Sequence, residues 1–387
     1  MAGATHAGLK KNQEKSPDLA ILAATKPCYG SALFTTNRVK AAPVLLSRQR
    51  TPSHNLRGVV VNSGFANACA GDTSLKDAAE MTELAALKLG VDPDSILVAS
   101  TGVIGEPLPM EIVREGIRKI EVSRYGGHDM ARAIMTTDTA PKEAAVRVSN
   151  GRGHYTIGGV AKGSGMVHPD LATFLGFITT DAPLSPELID TALRRAADIS
   201  FNMLSIDGDT STNDMLLIMA SGLARDTDTV YPDTNQAHTF QRALNQLCIQ
   251  LAKKLARDGE GAERLLEVKV GGSSSQEDAR LIARTIVSSP LVKAAVYGKD
   301  PNWGRIIAAA GRSGAVITEP KTDLFIGEIQ LVKSGCPLPY NRNLLRNIMS
   351  RDEVTIDLEL NIGDAGATAW GCDLSEKYVV INSAYTT

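Results

Sequence analysis

The chain has 387 residues, 43% of them hydrophobic and 22% charged, which are ordinary proportions for a folded globular protein and too long a chain for one small core. A formal net charge of −2, a pI near 6.3 and Lys and Arg spread without a basic stripe exclude nucleic acid and anionic membrane from the expected partners. The five cysteines, Cys28, Cys69, Cys248, Cys336 and Cys372, are odd in number and never stand as C-x-x-C, so neither a disulfide framework nor a zinc site is expected and a reducing interior is.

The N-terminal stretch MAGATHAGLKKNQEK has neither a secretory apolar region nor an Arg-rich presequence pattern, and no apolar run reaches the roughly 20 residues that span a bilayer. The expected location is cytoplasmic, or the mitochondrial matrix for a eukaryotic chain whose presequence has been removed. RGVVVNSG, residues 57–64, reads as a buried strand entering a turn. DTSLKDAAEMTELAALKLG reads as a helix, with Asp72, Thr73 and Ser74 as N-cap candidates, an apolar stripe of Leu75, Ala78, Ala79, Leu84, Leu87 and Leu89, and Gly90 as its stop. SILVASTGVIG repeats the strand and glycine turn, and LPMEIVREGIRKI repeats the helix.

KGSGMVHPDLATFLGFITTDA, residues 162–182, places a flexible glycine turn ahead of Thr173 and then an apolar strand. SPELIDTALRRAAD reads as a Pro-initiated helix, DMLLIMASG as a strand, and FQRALNQLCIQLAKKLARDG as a long amphipathic helix closing at Gly259. LLEVKVGG and AAVYG read as strands with the helix QEDARLIARTIVSS between them. The alternation without any G-x-G-x-x-G predicts α/β layers, sheets covered by helices, rather than a dinucleotide-binding sheet.

Several chemistries fail on single residues. A phosphate loop needs Ser or Thr after its lysine, where Gly163 follows Lys162, and a hydrolase elbow centred on Ser164 needs glycines where Lys162 and Met166 stand. DGDTSTND, beginning at Asp207, has Thr212 and Ile218 where a calcium loop needs Gly and Glu, and reads as a polar turn before a strand. The six histidines form no H-x-x-x-H pair, and His168 beside Pro169 reads as a loop residue.

A remaining route to an activated nucleophile makes a threonine the first residue of a new chain, so that its own α-amine, pKa about 7.7–8.0, acts as general base. Thr173 suits this route. Its hydroxyl could attack the Ala172 carbonyl, shift the acyl group from nitrogen to oxygen, and leave an ester for water to hydrolyse. The competing reading makes Thr173 an ordinary β-former in a half-polar strand.

AKGSGMVHPDLATFL resembles the self-processing segment of the ornithine acetyltransferases, also called glutamate N-acetyltransferases, a family that includes bifunctional arginine-biosynthesis proteins. FTTNRVKAAPV, VVVNSGFANACAG, ASTGVIG, MTTDTAPKEA, SIDGDTSTND, RDGEGAERLLEV, SPLVKAAVYGKDPNWGRI and NSAYTT follow in the family's order over nearly the whole chain. The resemblance implies an αββα-type sandwich with a second, smaller α/β C-terminal domain. It implies self-cleavage at Ala172–Thr173 into fragments 1–172 and 173–387 that share one core, and an oligomer with two copies of each, a heterotetramer.

It further implies Thr173 as nucleophile, Thr101 and Gly102 as the oxyanion hole, and Thr136, Lys162, Glu260, Asn382 and Thr387 as substrate contacts. A lysine suits a substrate carboxylate and a glutamate suits an ammonium group. The implied reaction moves acetyl from N2-acetyl-L-ornithine to L-glutamate through acetyl-Thr173, with no metal or organic cofactor, and acetyl-CoA stands open as a second donor. Phe65, Leu171 and Phe174 depart from the family's usual residues, the last two as apolar swaps of similar volume. A self-processed amidase or aminopeptidase, an acetyltransferase of a secondary-metabolite pathway such as clavulanate's, and a non-catalytic binding protein remain as alternatives.

Overall fold

Strand Leu19–Phe34 is long enough to serve two half-sheets, and register shifts between Ala23 and Cys28 and between Cys28 and Gly30 bend it where it passes from one to the other. The computed structural model describes residues 1–10, 16–149, 153–168 and 174–384. Among these, the first sheet runs Ile96–Val103, Ser53–Phe65, Leu19–Phe34, Met215–Ala220, Leu175–Thr180, His154–Lys162, Lys142–Ser149, with Ala2–Thr5 paired to Leu19–Phe34.

The period-2 alternation of side chains shows how the sheet is layered. Val60, Ile96 and Val98 pack with helices Ser74–Leu89 and Met110–Lys119, while their neighbours Val59, Val61, Leu97 and Ala99 share a second core with Leu175, Phe177, Met215 and Leu217 from the other half of the sheet. Ile178, Leu216 and Ile218 face the opposite way, toward helices Pro186–Asp198 and Asn235–Arg257. The order helix, sheet, sheet, helix is therefore written in alternate residues of the same strands.

A second sheet, from residues beyond 200, runs Cys336–Pro337, Ile329–Lys333, Asp323–Ile326, Glu353–Glu359, Leu265–Ser273, Ala365–Cys372, Leu204–Ser205. Its core is continuous with the first. Helix Asn235–Arg257 buries Phe240, Leu244, Leu247, Leu251 and Leu255, and the same cluster takes in Ile157 of the first sheet and Val268 of the second. Among the described residues no helix is long and apolar enough to cross a membrane, and no cluster of His, Cys, Asp and Glu is placed to hold a metal ion. All five cysteines are free.

Most expected elements occur, with two corrections. AAVYG is the end of helix Pro290–Tyr297, not a strand: Pro290 sits in the first turn, and Val292, Ala295 and Val296 are buried at helical spacing. The buried stripe of Ser74–Leu89 is Ala78, Met81, Thr82, Ala85 and Ala86, leaving Leu75 49% and Leu87 80% exposed. Thr73 stands at the N-cap of that helix but its hydroxyl bonds the Asp77 carboxylate at 2.9 Å rather than a backbone N–H, while Gly90 stops the helix in the left-handed region, φ 66°, as its type allows.

Candidate active site

Two strand ends meet at one side of the first sheet. Strand Ile96–Val103 delivers Thr101 and Gly102, paired in parallel register with Ser63 and Gly64. Gly102 has φ 129°, and a Cβ there would stand 2.3 Å from the Gly64 carbonyl carbon, so both backbone and space require glycine. Buried Asn213 fixes this end by donating to the carbonyls of Ala66 at 2.6 Å and Ser100 at 2.8 Å.

Strand His154–Lys162 delivers Lys162, whose Nζ donates to Thr136 Oγ1 at 2.8 Å and Thr101 Oγ1 at 3.3 Å. A hydroxyl that accepts from a lysine keeps its own proton for another partner, which is what an oxyanion needs. Lys162 is buried, and this desolvation lowers its pKa, with the Asp138 charge working in the other direction. Burial by itself pushes the Asp138 carboxyl up, but the charges of Lys162 and then Lys142 outweigh it and hold Asp138 at about 2. Asp138 also accepts the backbone N–H groups of Thr136 at 2.9 Å and Gly163 at 2.8 Å.

The turn expected to be flexible is tied down. Besides the Gly163 bond to Asp138, the Ser164 hydroxyl pairs with that of Thr137 at 2.6 Å and the Ser164 carbonyl accepts Glu260 N–H at 2.7 Å. Its glycines serve geometry instead: Gly163 has φ 153°, and a Cβ at Gly165 would come within 2.6 Å of the Glu260 carboxylate. Glu260 follows helix Asn235–Arg257, and its Oε2 accepts Asn382 Nδ2 at 2.7 Å from the C-terminal helix Glu376–Ala384.

A cavity of about 250 Å³ gathers these groups: Thr101, Gly102, Thr136, Lys162, Glu260 and Asn382 all line it, with Phe174, Asn213 and Asp214. Cavities of about 700 and 710 Å³ lie elsewhere, and they include none of the sequence-predicted residues. Polar convergence marks the site, not size. Ala172, Thr173 and Thr387 lie outside the described residues, as does Leu171. Phe174, which follows Thr173, is stacked on Phe201 with ring centroids 4.1 Å apart, so its aromatic ring has a defined seat, and its carbonyl accepts Met215 N–H at 3.2 Å. Phe65 is buried against the Ser74–Leu89 side of the sheet, and His168 shares a 3.1 Å hydrogen bond with Ser205.

Sequence reasoning passed over Asp138, Lys142, Asp258 and Asn213. All four lie inside segments it had singled out, TTDTAPK, RDGEG and STND, and the i, i+4 spacing of Asp138 and Lys142 was the available signal.

The ArgJ family matches residues 1–387 of the chain. An arginine biosynthesis bifunctional protein ArgJ of Dehalococcoides mccartyi (strain CBDB1) is 50% identical over 386 residues, covering 100% of this chain and 95% of that one. One from Symbiobacterium thermophilum is 49% identical over 389 residues, covering 100% and 96%. Among solved structures, the arginine biosynthesis bifunctional protein argJ of Bacillus halodurans is 42% identical, with a TM-score of 0.53, covering 54% of this chain and 98% of that chain.

Proposed function

The chain belongs to the ArgJ family over its whole length, and on that premise we propose that its cavity transfers acetyl from N2-acetyl-L-ornithine to L-glutamate through Thr173. The protein is an acyltransferase of arginine biosynthesis acting on small molecules. The observation that carries the proposal is the convergence of Thr101 and Gly102 with a buried lysine and the Glu260–Asn382 pair on one cavity whose wall includes the residue after Thr173.

In the proposed sequence, Thr173 first attacks the Ala172 carbonyl, the acyl group moves from nitrogen to oxygen, and water hydrolyses the ester. The products are fragments 1–172 and 173–387, the latter with a free α-amine. That amine takes the Thr173 hydroxyl proton as the oxygen attacks the acetyl carbonyl of the donor. The Thr101 hydroxyl and Gly102 N–H hold the oxyanion, the intermediate collapses, and ornithine leaves with the proton. Glutamate's amine then attacks the acetyl-Thr173 ester and departs as N-acetyl-L-glutamate. Lys162 pairs with the amino-acid carboxylate, Glu260 with Asn382 receives the ammonium end, and Thr136 and Thr387 complete the substrate contacts.

Two of the three cores packed on the first sheet contain residues from before and after position 172, which supports fragments that stay together after cleavage. We extend the proposal to an assembly of two of each, and light scattering that returned a single 41.1 kDa protomer would contradict it. Acetyl-CoA is the second donor to assay, because the relatives are named bifunctional. The kinetic test varies glutamate at several acetylornithine concentrations. Parallel double-reciprocal lines are expected; intersecting lines, or acetate released without a glutamate requirement, would overturn the reading.

A further inference from the structure

Lys142 opens strand Lys142–Ser149 and lies beneath the site without lining its cavity. Its ammonium is buried with a side chain 2% exposed, and it pairs with two carboxylates, Asp138 and Asp258. Those carboxylates belong to different walls. Asp138 anchors the Thr136 and Gly163 N–H groups on either side of the Lys162 contact, at 2.9 and 2.8 Å. Asp258 caps the end of helix Asn235–Arg257, two residues before Glu260, and accepts Thr139 N–H at 2.9 Å.

We infer that Lys142 is a positioning residue that sets the spacing between the two substrate-binding ends of the site, by clamping the Asp138 support of Lys162 to the Asp258 support of Glu260. The inference rests on the proposed reading of the cavity as an amino-acid acyltransferase site. One ligand must meet a lysine for its carboxylate and a glutamate for its ammonium, so the span between them is part of recognition. In the chain that span is bridged twice: once by the Glu260 N–H bond to Ser164, and once by the ion triad. Asp138 and Lys142 precede the proposed cleavage position and Asp258 follows it, so the triad also joins the two fragments at the site. A buried ammonium between two carboxylates holds this geometry firmly because displacing any member leaves an uncompensated buried charge.

The test uses processed enzyme carrying Asp258→Asn, Lys142→Met or both. Asp258→Asn keeps the size and the acceptor for Thr139 but loses the ionic link. It is expected to raise KM for acetylornithine and for glutamate about tenfold, with kcat within about twofold, and to weaken calorimetric binding of ornithine by a similar factor. Lys142→Met moves the same quantities in the same direction, and the double variant is no worse than the stronger single one, since both break one link. Unchanged KM and ornithine affinity in folded, processed Asp258→Asn, or additive effects in the double variant, would overturn the inference. If Lys142→Met does not fold, Asp258→Asn alone decides. Wild-type enzyme that transfers no acetyl group contradicts the proposed reaction; unchanged ornithine binding in the variant contradicts the clamp, and calorimetry reads it without turnover.

Discussion

Lys162 pairs in antiparallel register with Leu175, so the residue that ends one strand stands beside the second residue after Thr173 at the start of the next. The segment between them leaves and re-enters the sheet at the same edge of the cavity. Strand pairing thereby fixes Lys162 beside Leu175, a constraint that cleavage at the proposed position would not remove, because the ladder hydrogen bonds lie outside the segment.

The oxyanion assignment is tested by Thr101→Ala. Lys162 keeps its 2.8 Å bond to Thr136, so the proposed carboxylate contact should survive the change. On the processed fraction kcat is expected to fall by roughly 10²–10³ with KM little altered. Full turnover would remove Thr101 from the oxyanion hole and leave Gly102.

The pH profile should have two limbs of different origin. In the proposed reaction the Thr173 amine must be unprotonated to act as base, so kcat should rise through about pH 8, the range of a free α-amine. Lys162 must be protonated to hold a carboxylate, and burial lowers its pKa, so KM should rise on the alkaline side at a pH below that of an ordinary lysine. Initial rates at fixed ionic strength separate the two. An alkaline limb in kcat alone, with constant KM, would argue against Lys162 as the carboxylate partner.

Processing should depend on Asp207. Its carboxylate accepts the N–H groups of Met166 at 2.5 Å and Val167 at 2.8 Å, and the Val167 carbonyl accepts Ile206 N–H at 2.8 Å. Met166 is held at φ 55°, an unusual value for a side chain of its type. These bonds fix the chain just ahead of the proposed scissile segment. Asp207→Asn, which can no longer accept both N–H groups as a carboxylate, is expected to slow conversion of the intact chain about tenfold or more, with Thr173→Ala as the variant that stays whole. Gel time courses of newly made chain give the rate, and wild-type kinetics in Asp207→Asn would refute the role.

The helix Ser74–Leu89 offers a stability comparison. Met81 is fully buried, so Met81→Ala should cost about 2–5 kcal/mol, whereas exposed Leu87→Ala should stay within about 0.5 kcal/mol. Urea unfolding of both variants reads the difference, and equal losses would return Leu87 to the buried face.

What could be read from the sequence follows from what each signal encodes. Strand VVV and helix PELIDTALRRAAD carry their period and punctuation locally, so both were legible. Of the expected stripe, Ala78 is buried and Ala79, Leu84 and Leu89 pack against the core, while Leu75 and Leu87 fall outside it because a leucine-rich helix offers more than one apolar face and only the sheet beneath selects Ala78, Met81 and Ala85. AAVYG failed because Val and Tyr favour strands when read alone, while Pro290, a few residues earlier, begins a helix. The site is legible only through resemblance: Thr101, Lys162, Glu260 and Asn382 come from distant segments, and no local pattern says that they share a cavity. The Lys142 clamp escaped for the same reason, since half of it is 116 residues away.

The most direct measurement is the intact mass of both fragments after the processed enzyme meets acetylornithine without glutamate. The account predicts that the fragment beginning at Thr173 becomes heavier by one acetyl group, that peptide mapping places the group on Thr173, that fragment 1–172 is unchanged, and that added glutamate removes the acetyl group as N-acetylglutamate. A chain that remains whole, a fragment with a different first residue, or an acetyl group carried anywhere but Thr173 would contradict it.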